Sequence, residues 1–486
     1  MRVTMFTRIL LAIFCLLLIF AGHPGLAATQ ISIDSVIQDF MRQSHVSGGA
    51  VAIIKNGEVI HSAGYGLDSL GNPVTPATPM RIASMSKSFT AVAIMQLVDE
   101  GKIELDLPLT TYLPEVTTSS PSGQPLMVRH LLNQTSGLMP SVSSEYAHPT
   151  RSSLAEAAAD VHAITLATAP GTSFAYHNQN YMLAARVVEV VSGQPYAQYV
   201  QQHIFEPLAM QHSVETTLCS DPVPGLTNGH ILLFNQAIAA PEPMALCAGS
   251  GGVVSTADDM AKWLNLHTAQ GRLSDGTSLL SAASLATLHT PPSQVSDYAM
   301  GWHRHLAPEK TLIEHSGSLM TFTSAMIFNP ATKTGVVVLL NTNSLPLILA
   351  KNLLTVVDGD SSALEPINDP RIWLDIIGVA LTLGTLALGI RGIRRARAWA
   401  TRLSTASAWI VGLRLLPYVL LPIIVGFLPS ILRRGFNSDI DWVGLIYLLP
   451  MPSLFSIVLG LMLGAIAITR IRGYFQTRAK RPTPIA

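Results

Sequence analysis

The stretch Arg81-Ile-Ala-Ser84-Met-Ser-Lys87-Ser-Phe-Thr90 opens a helical run that continues to Glu100 and is closed by Gly101. Ser84 and Lys87 stand three apart at the start of that helix, so their side chains share one face. A serine hydroxyl is a weak nucleophile until a neighbouring base takes its proton. Burial disfavours the charged form of a lysine and so prepares it for that task. The free N–H groups of the helix N-terminus also favour an anionic intermediate. Taken alone, the spacing occurs often by chance and reads first as an N-cap serine beside a solvated lysine.

On either side of this helix the pattern changes from a period of 3.6 residues to one of two. Ala50–Lys55 and Glu58–Gly66 are β-rich runs flanking Asn56-Gly57, a dipeptide that favours a type I′ hairpin turn. Thr323–Phe328 and Gly335–Asn341 form a second such pair around Asn329-Pro-Ala-Thr-Lys-Thr. Strands at both ends with helices between them predict a mixed helix and sheet (α+β) domain, in which one antiparallel sheet is built from the chain-terminal strands and a helical region is inserted.

The composition extends the picture beyond that domain. Of the 486 residues, 49% are apolar and 12% charged, against roughly 25% charged in a typical soluble domain. This excludes a disordered chain and a basic nucleic-acid-binding protein. The net charge of zero conceals a segregation. Residues 28–369 hold 14 Lys and Arg against 27 Asp and Glu, a balance of −13, whereas residues 370–486 hold 14 against 3, a balance of +11. The basic part contains three apolar stretches, Ile372–Ile390, Ala406–Leu428 and Trp442–Ile468, each long enough to cross a bilayer as a helix. Five arginines lie in the connection Arg391–Arg402 and five Lys or Arg in the tail Arg470–Arg481. The positive-inside rule puts both in the cytoplasm and residues 28–371 outside. Arg414, inside the second span, is read as structural or snorkelling.

Arg2 and Arg8, the apolar run Ile9–Phe20 and the small residues Gly25 and Ala27 have the layout of a signal peptide over residues 1–27; an uncleaved anchor is the alternative. The expected organisation is then that leader, a globular domain over 28–357, a linker over 358–371, three spans over 372–468 and a basic tail over 469–486. The lipid bilayer is the expected partner, with no nucleic acid. Cys219 and Cys247 remain in the exported part, where a disulfide is permitted but not required. No His/Cys cluster has metal-site spacing, so no metal or other cofactor is expected.

Two further motifs accompany Ser84-Met-Ser-Lys87: Tyr176-His-Asn178, in a loop before the helical run Tyr181–Val191, and His315-Ser-Gly317, in front of the second hairpin. In this order the three resemble the SxxK, YxN and K/HxG motifs of the penicillin-recognising serine hydrolases. These comprise class C β-lactamases, D-alanyl-D-alanine peptidases and related esterases. Arg129-His-Leu-Leu-Asn-Gln134-Thr-Ser-Gly137-Leu, Asp106-Leu-Pro-Leu, Gly251-Gly-Val-Val-Ser-Thr-Ala-Asp-Asp and Tyr298-Ala-Met-Gly-Trp302 are similar to further family segments. The resemblance covers residues 31 to 350 and leaves out the last 115 or so.

It implies a β-lactamase/transpeptidase-like fold and an acyl-enzyme mechanism. Ser84 would be acylated, with Lys87 and Tyr176 handling its proton. Asn178 would bond Lys87 or a substrate amide, and the N–H groups of Ser84 and Ser318 would form the oxyanion hole. His315, Gly317 and Ser318 would line the substrate edge. Substrates would be small-molecule or peptide amides or esters, peptidoglycan among them. His315 stands where many relatives have lysine, and a histidine near neutral pH is mostly uncharged. Ser318-Leu-Met-Thr replaces a glycine-rich segment of the family, which reshapes the pocket. Both departures raise a carboxylesterase on the same fold as a rival; a weakly catalytic peptidoglycan-binding or regulatory protein and a transporter-like protein are others.

Overall fold

The computed structural model describes residues 32–138, 151–273, 275–292, 295–307, 310–359, 364–367, 369–436 and 441–479. The expected signal peptide, with Cys15, lies outside them, as do residues 360–363 and 368 of the expected linker and the tail from residue 480.

Ser32 caps helix α1 (Ile33–Gln43), its hydroxyl accepting from Ser35 N at 3.1 Å. The hairpin β1 (Gly48–Lys55) and β2 (Glu58–Gly66) follows. Asn56 and Gly57 both take positive φ, 53° and 87°, as a type I′ turn requires. After the inserted region come β3 (Tyr298–Ala299), β4 (Trp302–Ala307), β5 (Lys310–Ser318), β6 (Thr323–Asn329) and β7 (Thr334–Leu340). They complete a seven-stranded antiparallel sheet ordered β3-β4-β5-β6-β7-β1-β2. The first strand of the domain therefore pairs with the last, Ala50 opposite Leu339 and Ala52 opposite Val337.

The period of two divides each central strand between two cores. Ala50, Ala52 and Ile54 of β1, with Val337 and Leu339 of β7, face the inserted helices α2 (Ser86–Asp99), α3 (Asn178–Ser192) and α4 (Ala257–Thr268). Val51 and Ile53, with Val336, Val338 and Leu340, face α1 and the last helix of the domain, α5 (Pro346–Val357), through Ile37, Phe40, Leu349 and Leu353. Each buried Val, Leu, Ile or Phe side chain among them contributes roughly 1.5–3 kcal/mol by leaving water. A one-residue register slip would exchange the two sets.

Among the described residues, three helices beyond the domain are long and apolar enough to cross a membrane: α6 (Arg371–Arg394), α7 (Ala408–Gly426) and, after a short helix α8 (Trp442–Leu448), α9 (Pro450–Ala479). The third differs from the reading Trp442–Ile468. The chain breaks at Leu449, at φ −136° and ψ 67°, because the residue before a proline is driven out of the helical region. Residues 442–448 turn back instead against the globular domain, where Tyr447 donates to Pro241 O at 3.1 Å. Asp375 of α6 accepts from Phe234 N at 2.8 Å, and Arg371 donates to Asn343 O at 2.7 Å. Arg414 lies exposed in the second turn of α7.

Candidate active site

Ser84 sits on a single 3₁₀ turn, Ala83–Met85, that leads into α2. The turn is held from three sides. Ile82 N donates to Val253 O at 3.0 Å, Val253 N donates to Ser86 Oγ at 3.0 Å, and Ser324 Oγ donates to Ile82 O at 2.6 Å. These ties hold Ala83 at φ +49°, a conformation an alanine adopts at a cost of about 1–3 kcal/mol. Gly317 allows β5 to lie directly on this turn. A Cβ there would stand 2.3 Å from Ile82 O and 2.5 Å from Ser324 Oγ, which explains the glycine of His315-Ser-Gly317 in steric terms.

Lys87, on the first turn of α2, is fully buried. Its Nζ lies 2.9 Å from Ser84 Oγ, 2.6 Å from Asn178 Oδ1 and 2.8 Å from Ser250 O. Nζ also lies 4.9 Å from the centre of the Tyr176 ring. Asn178 is not in a loop, as the sequence reading had it, but is the first residue of α3. The spacer His177 caps that helix, its Nδ1 accepting from Gln179 N at 3.0 Å. The capped helix start aims Asn178 at Lys87, 91 residues earlier in the chain.

His315 is 3% exposed, with its ring 6.3 Å from that of Tyr176. Its Nδ1 faces Ser316 O at 2.7 Å and its Nε2 faces the Tyr298 hydroxyl at 3.2 Å. A carbonyl only accepts, so these partners assign the ring proton to Nδ1 and make Tyr298 the donor to Nε2. Burial, together with Lys87 and His303 nearby, pushes its pKa down to about 3, which leaves it neutral at physiological pH. Gly317 is buried. The neighbouring Ser316 and Ser318 are exposed, and Asn343 Nδ2 donates to Ser318 Oγ at 3.5 Å and to Leu319 O at 3.0 Å.

Several supports escaped the sequence reading. Gln134, at φ +58°, accepts through Oε1 from His177 N (2.9 Å) and Asn180 Nδ2 (2.6 Å), and so holds the Tyr176 loop onto α3. The buried Glu242 accepts from Met320 N and Thr321 N, at 3.0 and 2.9 Å, and fixes the turn after Ser318; burial raises its pKa. Glu215, also buried, accepts from Gly249 N at 2.9 Å, one residue before the carbonyl that meets Lys87, and burial raises its pKa to about 8. Nothing in the sequence around these carboxylates marks them as buried. Arg129 and Asp106, from two of the resembling segments, form a two-pronged ion pair at 2.6 and 2.7 Å. Cys219 and Cys247 are disulfide-bonded, with Cα atoms 5.3 Å apart. Among the described residues no group of three His, Cys, Asp or Glu is placed to hold a metal ion.

This architecture recurs in known proteins. Over residues 33–354 the chain matches the family model Beta-lactamase. It is 27% identical over 320 residues to Protein flp of Staphylococcus aureus (strain MW2), covering 65% of this chain and 64% of that protein. Over 271 residues it is 30% identical to PbpX of Bacillus subtilis (strain 168), whose name places it with the penicillin-binding proteins; the match covers 55% of this chain and 64% of that one. It therefore spans just under two thirds of the length of these curated relatives. Among solved structures, the octameric penicillin-binding protein homologue from Pyrococcus abyssi superposes with a TM-score of 0.60 at 27% identity, covering 71% of this chain and 80% of that one. With the family model matching well over half of its residues, the chain belongs to the beta-lactamase family.

Proposed function

We propose that this protein is a membrane-anchored serine hydrolase that cleaves amide or ester bonds through an acyl-enzyme on Ser84. One observation carries the reading. Of the three hydrogen-bond partners of Lys87 Nζ named above, Asn178 Oδ1 and Ser250 O can only accept, whereas Ser84 Oγ carries a proton. A neutral amine that donates to the first two aims its lone pair at the third. Ser84 Oγ then bonds to the substrate carbonyl carbon as its proton passes to Lys87. Lys87, with Tyr176 beside it, returns that proton to the leaving amine or alcohol, and water afterwards releases the acid from Ser84. The N–H groups of Ser84 and Ser318 are the proposed oxyanion donors; one such donor is worth roughly 10²–10³ in rate.

The neutral His315 favours an ester or an uncharged amide over a substrate anchored by its carboxylate, since this strand offers no fixed positive charge there. The proposed orientation sets the hydrolase domain on the outer face of the membrane, with peptidoglycan fragments among the candidate substrates. Its support is the basic connection 391–402, which lies at the far end of the bundle from the domain.

Incubation with a fluorophosphonate followed by mass spectrometry tests the mechanism. The expected adduct sits on Ser84 and is absent from Ser84→Ala; equal labelling of the two proteins refutes it. Parallel assays with nitrocefin, a short-chain p-nitrophenyl ester and a D-Ala-D-Ala peptide rank the substrate classes, with the ester expected first.

A further inference from the structure

Where the basic ends of α6 and α9 meet α7, the bundle forms a half-open cavity of about 410 Å³. Its polar edge carries Arg391, Arg395 and Arg470 beside Tyr418, and its wall is apolar, with Leu459 and Leu463 among the lining residues. Arg470 lies against two rings, its guanidinium carbon 4.4 Å from the centre of Tyr418 and 5.1 Å from that of Trp399. Its Nε is a buried donor without a hydrogen-bond partner.

Of the side-chain carboxylates of residues 370–486, Asp375, Asp439 and Asp441, the two that are described serve the other end. Asp375 accepts from Phe234 N, and Asp441 caps α8 through Gly444 N, both on the side of the hydrolase domain; Asp439 lies outside the described residues. Three cations therefore converge on an apolar-walled space, and among the described residues that line it there is no carboxylate to offset them. Arg391 and Arg395 are exposed at the rim, whereas Arg470 is half-buried, and a guanidinium drawn into a bundle is costly unless paired. Guanidinium groups match phosphate oxygens two at a time, and basic pockets between spans hold lipid headgroups.

We infer that this cavity binds the phosphate of an anionic lipid, with Arg391, Arg395 and Arg470 on its oxygens and the apolar wall against the first methylenes of the acyl chains. The inference rests on the bundle crossing a bilayer and is independent of the hydrolase chemistry.

The test uses the full chain in nanodiscs of either phosphatidylglycerol or phosphatidylcholine, released into detergent for native mass spectrometry. One phosphatidylglycerol molecule should stay bound, with no phosphatidylcholine retained. Arg470→Gln and Arg391→Gln, checked by gel filtration to be folded, should each weaken retention about fivefold or more. Arg402→Gln, which removes one charge from an exposed position in the neighbouring connection, should leave it unchanged. Equal losses in all three variants, or equal retention of the zwitterionic lipid, would overturn the site. Displacement of the lipid by an equal concentration of inorganic phosphate would assign the arginines to a soluble anion and overturn the lipid.

Discussion

Lys87 faces an amide oxygen, a backbone carbonyl and the serine hydroxyl, all within 2.9 Å. Its alignment should therefore be sensitive to single acceptors. Asn178→Ala removes one of them from a buried amine, an interaction of about 1.5–3 kcal/mol, so labelling of Ser84 should slow roughly 10- to 100-fold while the fold persists. Stopped-flow acylation read alongside circular dichroism measures both. His315 gives a second residue-scale expectation. With its pKa held down to about 3 by burial, it stays neutral from pH 5 to 8 and adds no limb to the rate profile there. A limb near pH 6.5 that vanishes in His315→Gln would contradict that placement.

At the scale of elements, the contact between β5 and the Ser84 turn depends on the missing side chain of Gly317. Gly317→Ala drives a methyl group into Ile82 O and Ser324 Oγ, and overpacking of this kind costs about 1–3 kcal/mol. The variant should melt lower and lose at least tenfold in labelling rate, as followed by thermal denaturation and fluorophosphonate kinetics. The sheet was legible in the sequence because the alternation of its strands and the Asn56-Gly57 turn are local signals. Ser84 and Lys87 were legible for the same reason, being one helical turn apart. Gln134, Glu215 and Glu242 were not, since a polar side chain becomes a support only once distant segments bury it. The boundary of the third span was misplaced because a hydropathy run passes unbroken through Leu449 and Pro450, whereas backbone sterics do not.

Over the whole molecule, buried titrating groups set opposing limits on stability. Glu215 has a folded pKa of about 8 against 4.5 for the free side chain. The folded state thus keeps a proton that the unfolded chain releases, and stability falls as pH rises from 4.5 to 8. His289 and His315, lowered by burial from 6.5 to about 3, act in the other direction: stability falls as pH drops below 6.5. Glu215→Gln keeps an acceptor for Gly249 N but cannot ionise. Its melting temperature should match the parent at pH 5 and exceed it at pH 8, as scanning calorimetry in detergent would record. The disulfide Cys219–Cys247 closes a loop whose far end lies three residues before Ser250, the carbonyl partner of Lys87. A cross-link over such a separation is worth roughly 3–4 kcal/mol, so dithiothreitol should lower both melting temperature and labelling rate. A polypeptide kept among reductants would accordingly hold its two thiols apart and fold with that much less margin than one that meets an oxidising environment.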